Sequence, residues 1–365
     1  MIYLDNGATS FPKPMAVKRA MLMAMERCAN PGRGGHRPAM AAAETVFRCR
    51  EAVGELFRCP PERVVFTGSC THGLNIAIRS LVKPGDPVVI SGFEHNAITR
   101  PLHALQAKIS VAGRRLFCPE DTLEQFEKAL KNGAKVALFT HVSNVFGYIL
   151  PIEQMAQLCR EYGVPFVIDA AQSAGILDVD FKQLGASYLA APGHKGLLGP
   201  MGTGILLCGQ LPEPLLCGGT GSMSLEQTMP DFLPDRAEAG TLNVPGIAGL
   251  ASGIREVQKR GTKQILAGQR RQVRRCAAAL EKMGCIVFTG RDQTGTLSFL
   301  PDCDCEEMAQ RLAQKGVAVR AGLHCAPLAH ESAGTLPGGT VRIAFGHDAN
   351  DGQTSEFLRI MQKLS

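Results

Sequence analysis

Short runs of apolar and β-branched residues alternate with stretches of helical periodicity through the first two thirds of the chain. The apolar runs predict buried strands at residues 63–68, 86–92, 135–143, 165–172, 186–191 and 203–209. Helical stretches lie between them, among others at residues 71–82, 94–107, 122–132 and 152–162. This alternation predicts an α/β fold with a mostly parallel sheet between helices, because consecutive parallel strands need a covering crossover.

The last third of the chain follows a different pattern. Residues 247–283 predict long helix interrupted at "GTKQ", and short apolar runs then alternate with a helix at 304–315. This pattern is typical of α+β structure. We therefore predict a large domain at residues 13–250 and a smaller C-terminal domain at residues 251–365, joined by the N-terminal segment 1–12.

Composition narrows the classes of function. The 365-residue chain is 45% hydrophobic and can bury a large core. Its net charge of +6 comes from scattered basic residues, and 5% aromatic residues without tryptophan argue against nucleic-acid binding. Apolar runs stay below the roughly 18 to 20 residues of a membrane span, and "MIYLDNGATS" lacks the features of an export signal. We expect a cytoplasmic protein without nucleic-acid or membrane partners.

The cysteines indicate free thiols rather than disulfide bonds or metal ligands. We expect the thirteen cysteines to be reduced, with most of them filling the core. Cys303 and Cys305 stand close together in "PDCDCEE", but the sequence has no second pair to complete a set of metal ligands. We predict a polar turn there and no metal site.

A lysine among glycines and prolines is the first candidate for chemistry. Lys195 lies in "GHKGLLGPMGTG", and no carboxylate stands within ten residues on either side. A lysine that reacts with a carbonyl needs such a partly desolvated site, where its amine can lose a proton.

Two further features come at strand ends, where open α/β sheets bind ligands. The turn "TGSCTHGLN" (67–75) opens a helix whose free N–H groups can hold a phosphate, and Asp169 and Gln172 follow a strand in "VIDAAQSAG". A helix cap would explain the aspartate alone. A phosphate-binding turn, a strand-end carboxylate and a desolvated lysine together indicate pyridoxal 5′-phosphate. The lysine would hold its aldehyde, and the carboxylate would keep its ring nitrogen protonated.

The sequence resembles the cysteine desulfurases, which are fold-type I, class V aminotransferases. The similar stretches are, in chain order, "YLDNGATSFPKP", "EHNA", "HVSNVFG", "IDAAQ", "GHKGLLGPMGTG", "EAGTLNVPG" and "VRAGLHCA". The first stretch begins at residue 3, and the resemblance extends to residue 346, so it covers nearly the whole chain. The resemblance implies a fold-type I, pyridoxal-phosphate-dependent enzyme that converts L-cysteine to L-alanine.

The resemblance also implies roles for single residues. Lys195 would hold the cofactor and move a proton at the substrate's α-carbon, Asp169 would pair with the ring nitrogen, and Gln172 would face the ring hydroxyl. His95, which by residue type alone would suit a buried structural histidine, would stack on the ring. The phosphate of the cofactor would be held by Cys70, Thr71, His194 and a second subunit's Thr241. The carboxylate of the substrate would be bound by Asn144, Arg320 and Arg342. A shared site of this kind implies a two-fold homodimer.

Cys325, in "VRAGLHCAPLAH", decides between branches of the family. By residue type alone it could be a buried small hydrophobe. The resemblance instead implies a mobile nucleophile that holds the substrate's sulfur as a persulfide, with neighbouring His and Arg residues favouring its thiolate. The motif is similar to that of the short-loop branch, which includes selenocysteine-lyase-like enzymes.

Four functions stay open at this stage. The first is a cysteine desulfurase whose partner is a sulfur-acceptor protein or thiol, and the second is a lyase acting on L-selenocysteine. The third is another class V C–S lyase or aminotransferase. The fourth is a non-catalytic binding protein of this fold, against which the retained Lys195, Asp169, Gln172 and Cys325 argue.

Departures from the family pattern lie around the expected pocket. Leu323 stands where a histidine is common, and Cys70 and His72 are unusual in their turn. The stretch "NPGRGGH" matches the family only loosely and leaves Arg33 and His36 without an assigned role. These departures concern the choice of substrate and sulfur acceptor more than cofactor binding.

Overall fold

The computed structural model of the protein describes residues 1–32 and 34–364, so Arg33 lies outside the described residues. Its strands are short, and most of those in the first two thirds of the chain are buried along their whole length. In chain order they are β1 (Ile2–Tyr3), β2 (Val64–Thr67), β3 (Pro87–Ser91), β4 (Lys108–Ala112), β5 (Val136–Thr140), β6 (Phe166–Asp169), β7 (Tyr188–Pro192), β8 (Gly204–Cys208), β9 (Ile286–Phe288), β10 (Thr296–Leu300), β11 (Val317–Ala318), β12 (Arg320–Gly322) and β13 (Thr340–Ala344).

Helices connect most of these strands and cover the sheets. They are α1 (Met15–Arg27), α2 (Arg37–Phe57), α3 (Cys70–Leu81), α4 (Asn96–Ala104), α5 (Pro119–Lys131), α6 (Ile152–Tyr162), α7 (Phe181–Leu184), α8 (Val244–Arg260), α9 (Thr262–Lys282), α10 (Cys305–Gln314), α11 (Pro327–Ala333) and α12 (Asp351–Met361).

The central sheet of the described residues has the strand order β2-β8-β7-β6-β5-β3-β4. Neighbouring strands are parallel except at β8, which runs antiparallel to both β2 and β7. The mostly parallel sheet predicted from the alternating pattern is therefore confirmed. Thr140 of β5 pairs with Asp169 of β6, which in turn pairs with Ala190 of β7. The register thus places the ends of β5 and β6 side by side, and β7 extends two residues farther.

The central sheet is covered on both faces, which explains why its strands read as continuous apolar runs. Val89 of β3 packs in an apolar cluster with residues of α2, α5, α6 and α8. Its neighbours Val88 and Ile90 point the other way, into a cluster with residues of α3 and α4. Alternate side chains of one strand therefore support both layers.

The C-terminal part of the chain forms a separate antiparallel sheet, β12-β13-β10-β9. It packs with α9, α10 and α12 around a third apolar cluster, to which Leu4 of the N-terminal segment also belongs. β1 pairs in parallel with β11 and so brings the start of the chain to this sheet. The division at residue 250 falls inside α8 and stays a prediction.

Two differences from the sequence expectations have physical reasons, and one expected helix break is observed where the sequence placed it. β4 was not predicted, because it lies at the sheet edge and its first three residues, Lys108–Ser110, are exposed. The run "GVAVRAG" forms two strands, β11 and β12, which belong to different sheets. The interruption expected near "GTKQ" is Gly261, whose φ of +83° separates α8 from α9.

Candidate active site

A cavity of about 250 Å³ opens at the carboxyl edge of the central sheet. Thr140, Asp169 and Pro192, which end β5, β6 and β7, line it, and loops from both ends of the chain complete it. The sequence-predicted residues that the structure brings together here are Cys70, Thr71, His95, Asn144, Asp169, Gln172, His194, Lys195, Arg320 and Arg342. This is the strand-end position where open α/β sheets bind ligands.

Lys195 lies in the tight turn that follows β7. The turn is closed by backbone bonds from Gly193 to Thr203 and from Gly199 to Gly193, both at 2.8 Å. Gly196 packs so closely that a Cβ there would stand 2.2 Å from the carbonyl oxygen of Ala174. Burial lowers the pKa of the Lys195 amine, although nearby Asp169 raises it. A larger share of the amine is therefore neutral and able to attack a carbonyl.

Asp169 is 2% exposed and presents its carboxylate to the cavity. Its Oδ1 accepts hydrogen bonds from the backbone N–H of Ala171 at 2.8 Å and from the thiol of Cys70 at 3.4 Å. Burial and the adjacent carboxylate raise the pKa of Cys70 well above its ordinary value, so this thiol stays protonated and donates. The Cys70 side chain thus faces Asp169, and its backbone N–H lies at the N-terminus of α3.

The N-terminus of α3 also opens on the cavity. Ser69 caps the helix by accepting the N–H of His72 at 3.1 Å, and Cys70 and Thr71 follow with the unpaired N–H groups typical of a first turn. His194 lies nearby, and its buried Nδ1 has no hydrogen-bond partner among the described residues. Burial lowers the pKa of His194 to about 4. The N-terminus of α3 and the unpaired Nδ1 of His194 together suit an anion.

His95 caps α4 with its ring. Its Nδ1 accepts the N–H of Ala97 at 3.0 Å, which leaves the opposite side of the ring for the cavity. Burial lowers the pKa of His95. Glu94, the preceding residue, is fully buried and accepts the N–H of Thr140 at 2.9 Å. Its own pKa is raised to about 8 by burial. Sequence reasoning gave Glu94 no role, although it stands first in "EHNA".

Arg342 is 1% exposed and is held from two sides. Its Nη1 donates to the carbonyl of Asn144 at 2.9 Å, and its Nη2 forms an ion pair with Asp5 at 2.6 Å. Within this Arg342–Asn144 pair, Nε of Arg342 and Oδ1 of Asn144 are buried and have no hydrogen-bond partner among the described residues. Sequence reasoning also missed Asp5, whose only signal was its place in "YLDNGATS".

Cys325 lies at the rim of the cavity, exposed, and next to His324, which lines it. Nη2 of Arg320 donates to the Cys325 sulfur at 4.0 Å. His324 points away, with Nε2 at 3.1 Å from the carbonyl of Thr340, and burial lowers its pKa to about 2. Of the two basic residues beside the thiol, Arg320 therefore supplies the positive charge, and His324 is neutral.

Thr241 lies elsewhere. It lines a different cavity of about 590 Å³, beside the buried ion pair of Arg50 with Glu238. The structure therefore does not bring Thr241 of the same chain to the Lys195 cavity.

Other features bear on the remaining expectations. Across the described residues, no helix has the length and apolar character needed to cross a membrane. The same residues contain no group of three or more His, Cys, Asp or Glu side chains that could hold a metal ion. Between Cys303 and Cys305, the side chain of Asp304 caps α10. The thirteen cysteines are free, and Cys217 and Cys325 are the exposed ones among them.

Comparison with known proteins agrees with this geometry. The family model described as aminotransferase class-V matches residues 2–356, and the chain belongs to that family. It is 33% identical to a probable cysteine desulfurase of Pyrococcus abyssi, over 100% of this chain and 94% of the relative. A probable cysteine desulfurase of Methanothermobacter thermautotrophicus is 32% identical, over 99% of this chain and 92% of the relative. The apo structure of a cysteine desulfurase from Thermococcus onnurineus superimposes with a TM-score of 0.91 at 32% identity, covering 100% of this chain and 94% of that one.

Proposed function

We propose that this protein is a pyridoxal-5′-phosphate-dependent cysteine desulfurase, which converts L-cysteine to L-alanine and holds the sulfur as a persulfide on Cys325. One arrangement carries the proposal. Lys195, Asp169 and Arg342 line a single cavity, and an exposed Cys325 lies at its rim in contact with Arg320. The similar proteins named above, which are cysteine desulfurases or probable cysteine desulfurases, support the proposal.

The residues of the cavity fit the cofactor. An amine with a lowered pKa suits an aldehyde, and the buried carboxylate of Asp169 suits a protonated ring nitrogen. The helix end at Thr71 and the unpaired Nδ1 of His194 suit a phosphate. When bound, the cofactor supplies the electron sink for bonds broken at the substrate's α- and β-carbons.

The substrate carboxylate would bind at the opposite wall. Arg342 has an unpaired buried Nε, and the ion pair with Asp5 fixes the plane of its guanidinium. Asn144 contributes from the adjacent loop. With the carboxylate held there, Lys195 takes the proton from the α-carbon, because its amine reaches the cavity in a largely desolvated position.

Sulfur transfer falls to Cys325. Its thiolate attacks the sulfur of the substrate, so that an S–S bond forms while the C–S bond breaks, and a proton reaches the β-carbon. One cysteine and one thiol thereby become one alanine and one persulfide, and no further oxidant is needed. Nη2 of Arg320 lies 4.0 Å from the sulfur and would face it during the attack. The exposed position leaves the persulfide within reach of an acceptor thiol or protein.

A homodimer with shared sites is part of the proposal. Thr241 lies outside the cavity of its own chain, which supports delivery to the site of a second copy. The cytoplasmic location stays the prediction made from the sequence.

The test compares the two exposed cysteines. Cys325→Ala should lower alanine formation from L-cysteine about a thousandfold, because the reaction loses its nucleophile. The matched variant Cys217→Ala should behave like wild type. Alanine and protein-bound persulfide are measured with L-cysteine and with L-selenocysteine. Ordinary activity of Cys325→Ala on cysteine would refute the desulfurase proposal, and wild-type activity on selenocysteine alone would make the protein a selenocysteine lyase.

A further inference from the structure

A pair of buried histidines lies behind Cys325, and neither has a part in the reaction proposed above. His324 directly precedes Cys325, and His330 belongs to α11, at the end of the stretch "VRAGLHCAPLAH". Their ring centroids are 5.7 Å apart, and both side chains are buried. The pair therefore lies on the buried side of the Cys325 turn.

Polar contacts fix both ends of this pair. Nδ1 of His330 lies 2.7 Å from the hydroxyl of Thr335, and Nε2 of His324 lies 3.1 Å from the carbonyl of Thr340. The hydroxyl of Thr340 donates in turn to Ser298 in β10. Thr335 lies in the loop that leads to β13, and Thr340 is the first residue of β13, so one short segment of the chain contacts both rings.

Both rings are neutral at physiological pH. Burial lowers the pKa of His330 to about 4 and that of His324 to about 2. Arg342 and Arg320 add to the shift of His324, because a second positive charge beside them is unfavourable. The pair thus supports the turn by contact and hydrogen bonding.

The turn itself needs such support. His324 and Cys325 have successive φ values of +50° and +59°, which side chains other than glycine rarely adopt. Strain of this kind persists only where the surroundings over-determine the conformation. The backbone carbonyls of the two residues are held by the Asn144 side chain at 2.7 Å and by the N–H of Asn96 at 2.8 Å. The left-handed conformation places the sulfur against Arg320.

We propose that His330 is a positioning residue, which acts through His324 to hold Cys325 in the left-handed turn where its sulfur contacts Arg320. The inference rests on the proposed function, in which Cys325 carries the sulfur.

The experiment uses the cofactor-free protein and measures alkylation of each cysteine by iodoacetamide. Cys217, the other exposed thiol, serves as internal reference. In His330→Leu, the ratio of the Cys325 rate to the Cys217 rate should fall about two- to fivefold, the span of one exposed charge contact. Cys325 is already exposed, so loosening the turn changes its charge environment more than its accessibility.

Two further variants keep the test decisive. Thr335→Val removes the hydroxyl that contacts Nδ1 of His330 at 2.7 Å and donates to the His330 carbonyl at 3.4 Å. This variant should lower the same ratio, even if His330→Leu fails to fold. His330→Asn retains a polar atom near the position of Nδ1 and should stay closer to wild type than His330→Leu. An unchanged or raised ratio in the folded variants overturns the proposal. A wild-type protein that forms no persulfide refutes the proposed function but leaves the alkylation result valid.

Discussion

Lys195 differs from Lys13, whose pKa burial also lowers to about 8, in what its amine faces. The Lys13 amine donates to the Ser10 hydroxyl and to the carbonyl of His194, both at 2.7 Å, whereas Lys195 lines the cavity. Its turn is packed against Thr203 and Ala174, and the amine faces Asp169 and two arginines in the cavity. Its pKa is consequently lowered by burial, the property that a carbonyl-binding lysine requires.

Lys195→Ala should therefore lose the visible absorption of bound cofactor together with turnover. The aldehyde would have no amine to hold it, and the α-carbon would lose its base. The control is Lys128→Ala, on an exposed position of α5, which should match wild type in both measurements. The assignment fails if Lys195→Ala turns over near the wild-type rate.

Residue identities in the site were predictable from the motifs, but side-chain directions were not. Sequence reasoning placed Cys70 with the phosphate, yet its thiol faces Asp169. It gave His324 to the thiol, yet that ring faces Thr340. Which way a side chain turns depends on partners from distant elements, and a local motif does not contain them.

Elements were predictable where burial leaves a clear pattern. The strands of the central sheet are buried on both faces, so each appears as an apolar run with a recognisable end. The edge strand β4 has water on part of its surface and carries no such signal. Asp5 and Glu94 were missed for a related reason, because their partners lie on other elements of the fold.

One contact between elements is a buried ion pair. Arg50 of α2 forms a two-pronged pair with Glu238, at 2.9 and 2.6 Å, and its guanidinium also donates to the carbonyl of Val64. Glu238 in turn accepts the N–H of Phe66 in β2. Helix, strand and the segment leading to Thr241 are joined at this point.

Glu238→Gln should destabilise the protein by about 3–5 kcal/mol, because it leaves the Arg50 charge buried without its counterion. Urea unfolding measures the effect. The control Glu213→Gln breaks the more exposed pair with Arg236 and should cost about 1 kcal/mol or less. Equal losses in the two variants would contradict the assignment of the buried pair.

At the scale of the whole molecule, shared sites can be tested by mixing two defective chains. Lys195→Ala and Thr241→Ala should each impair activity in a homodimer. After mixing under exchange conditions, heterodimers should regain activity, because one of their two sites then combines an intact lysine with the neighbour's intact threonine. Light scattering on the wild-type protein measures whether it is a dimer in solution.

The matched control mixes Lys195→Ala with Asp169→Ala. Both of these residues line the same cavity of one chain, so no heterodimer contains an intact site. The proposed role of Thr241 would be wrong if activity recovered in the control mixture. It would also be wrong if no activity recovered in the mixture with Thr241→Ala.

The pairing of β1 with β11 and of Asp5 with Arg342 has a consequence for how the protein is made. A ribosome produces Asp5 long before its counterion Arg342. A nascent chain that stalls before residue 320 already contains Lys195 and Asp169 but lacks Arg320, Cys325 and Arg342. Such a fragment lacks Cys325, the thiol proposed to accept the sulfur, although it contains the other twelve cysteines. Persulfide formation on Cys325 can therefore begin only after both Cys325 and the substrate-binding Arg342 have been added and have folded onto the rest of the chain.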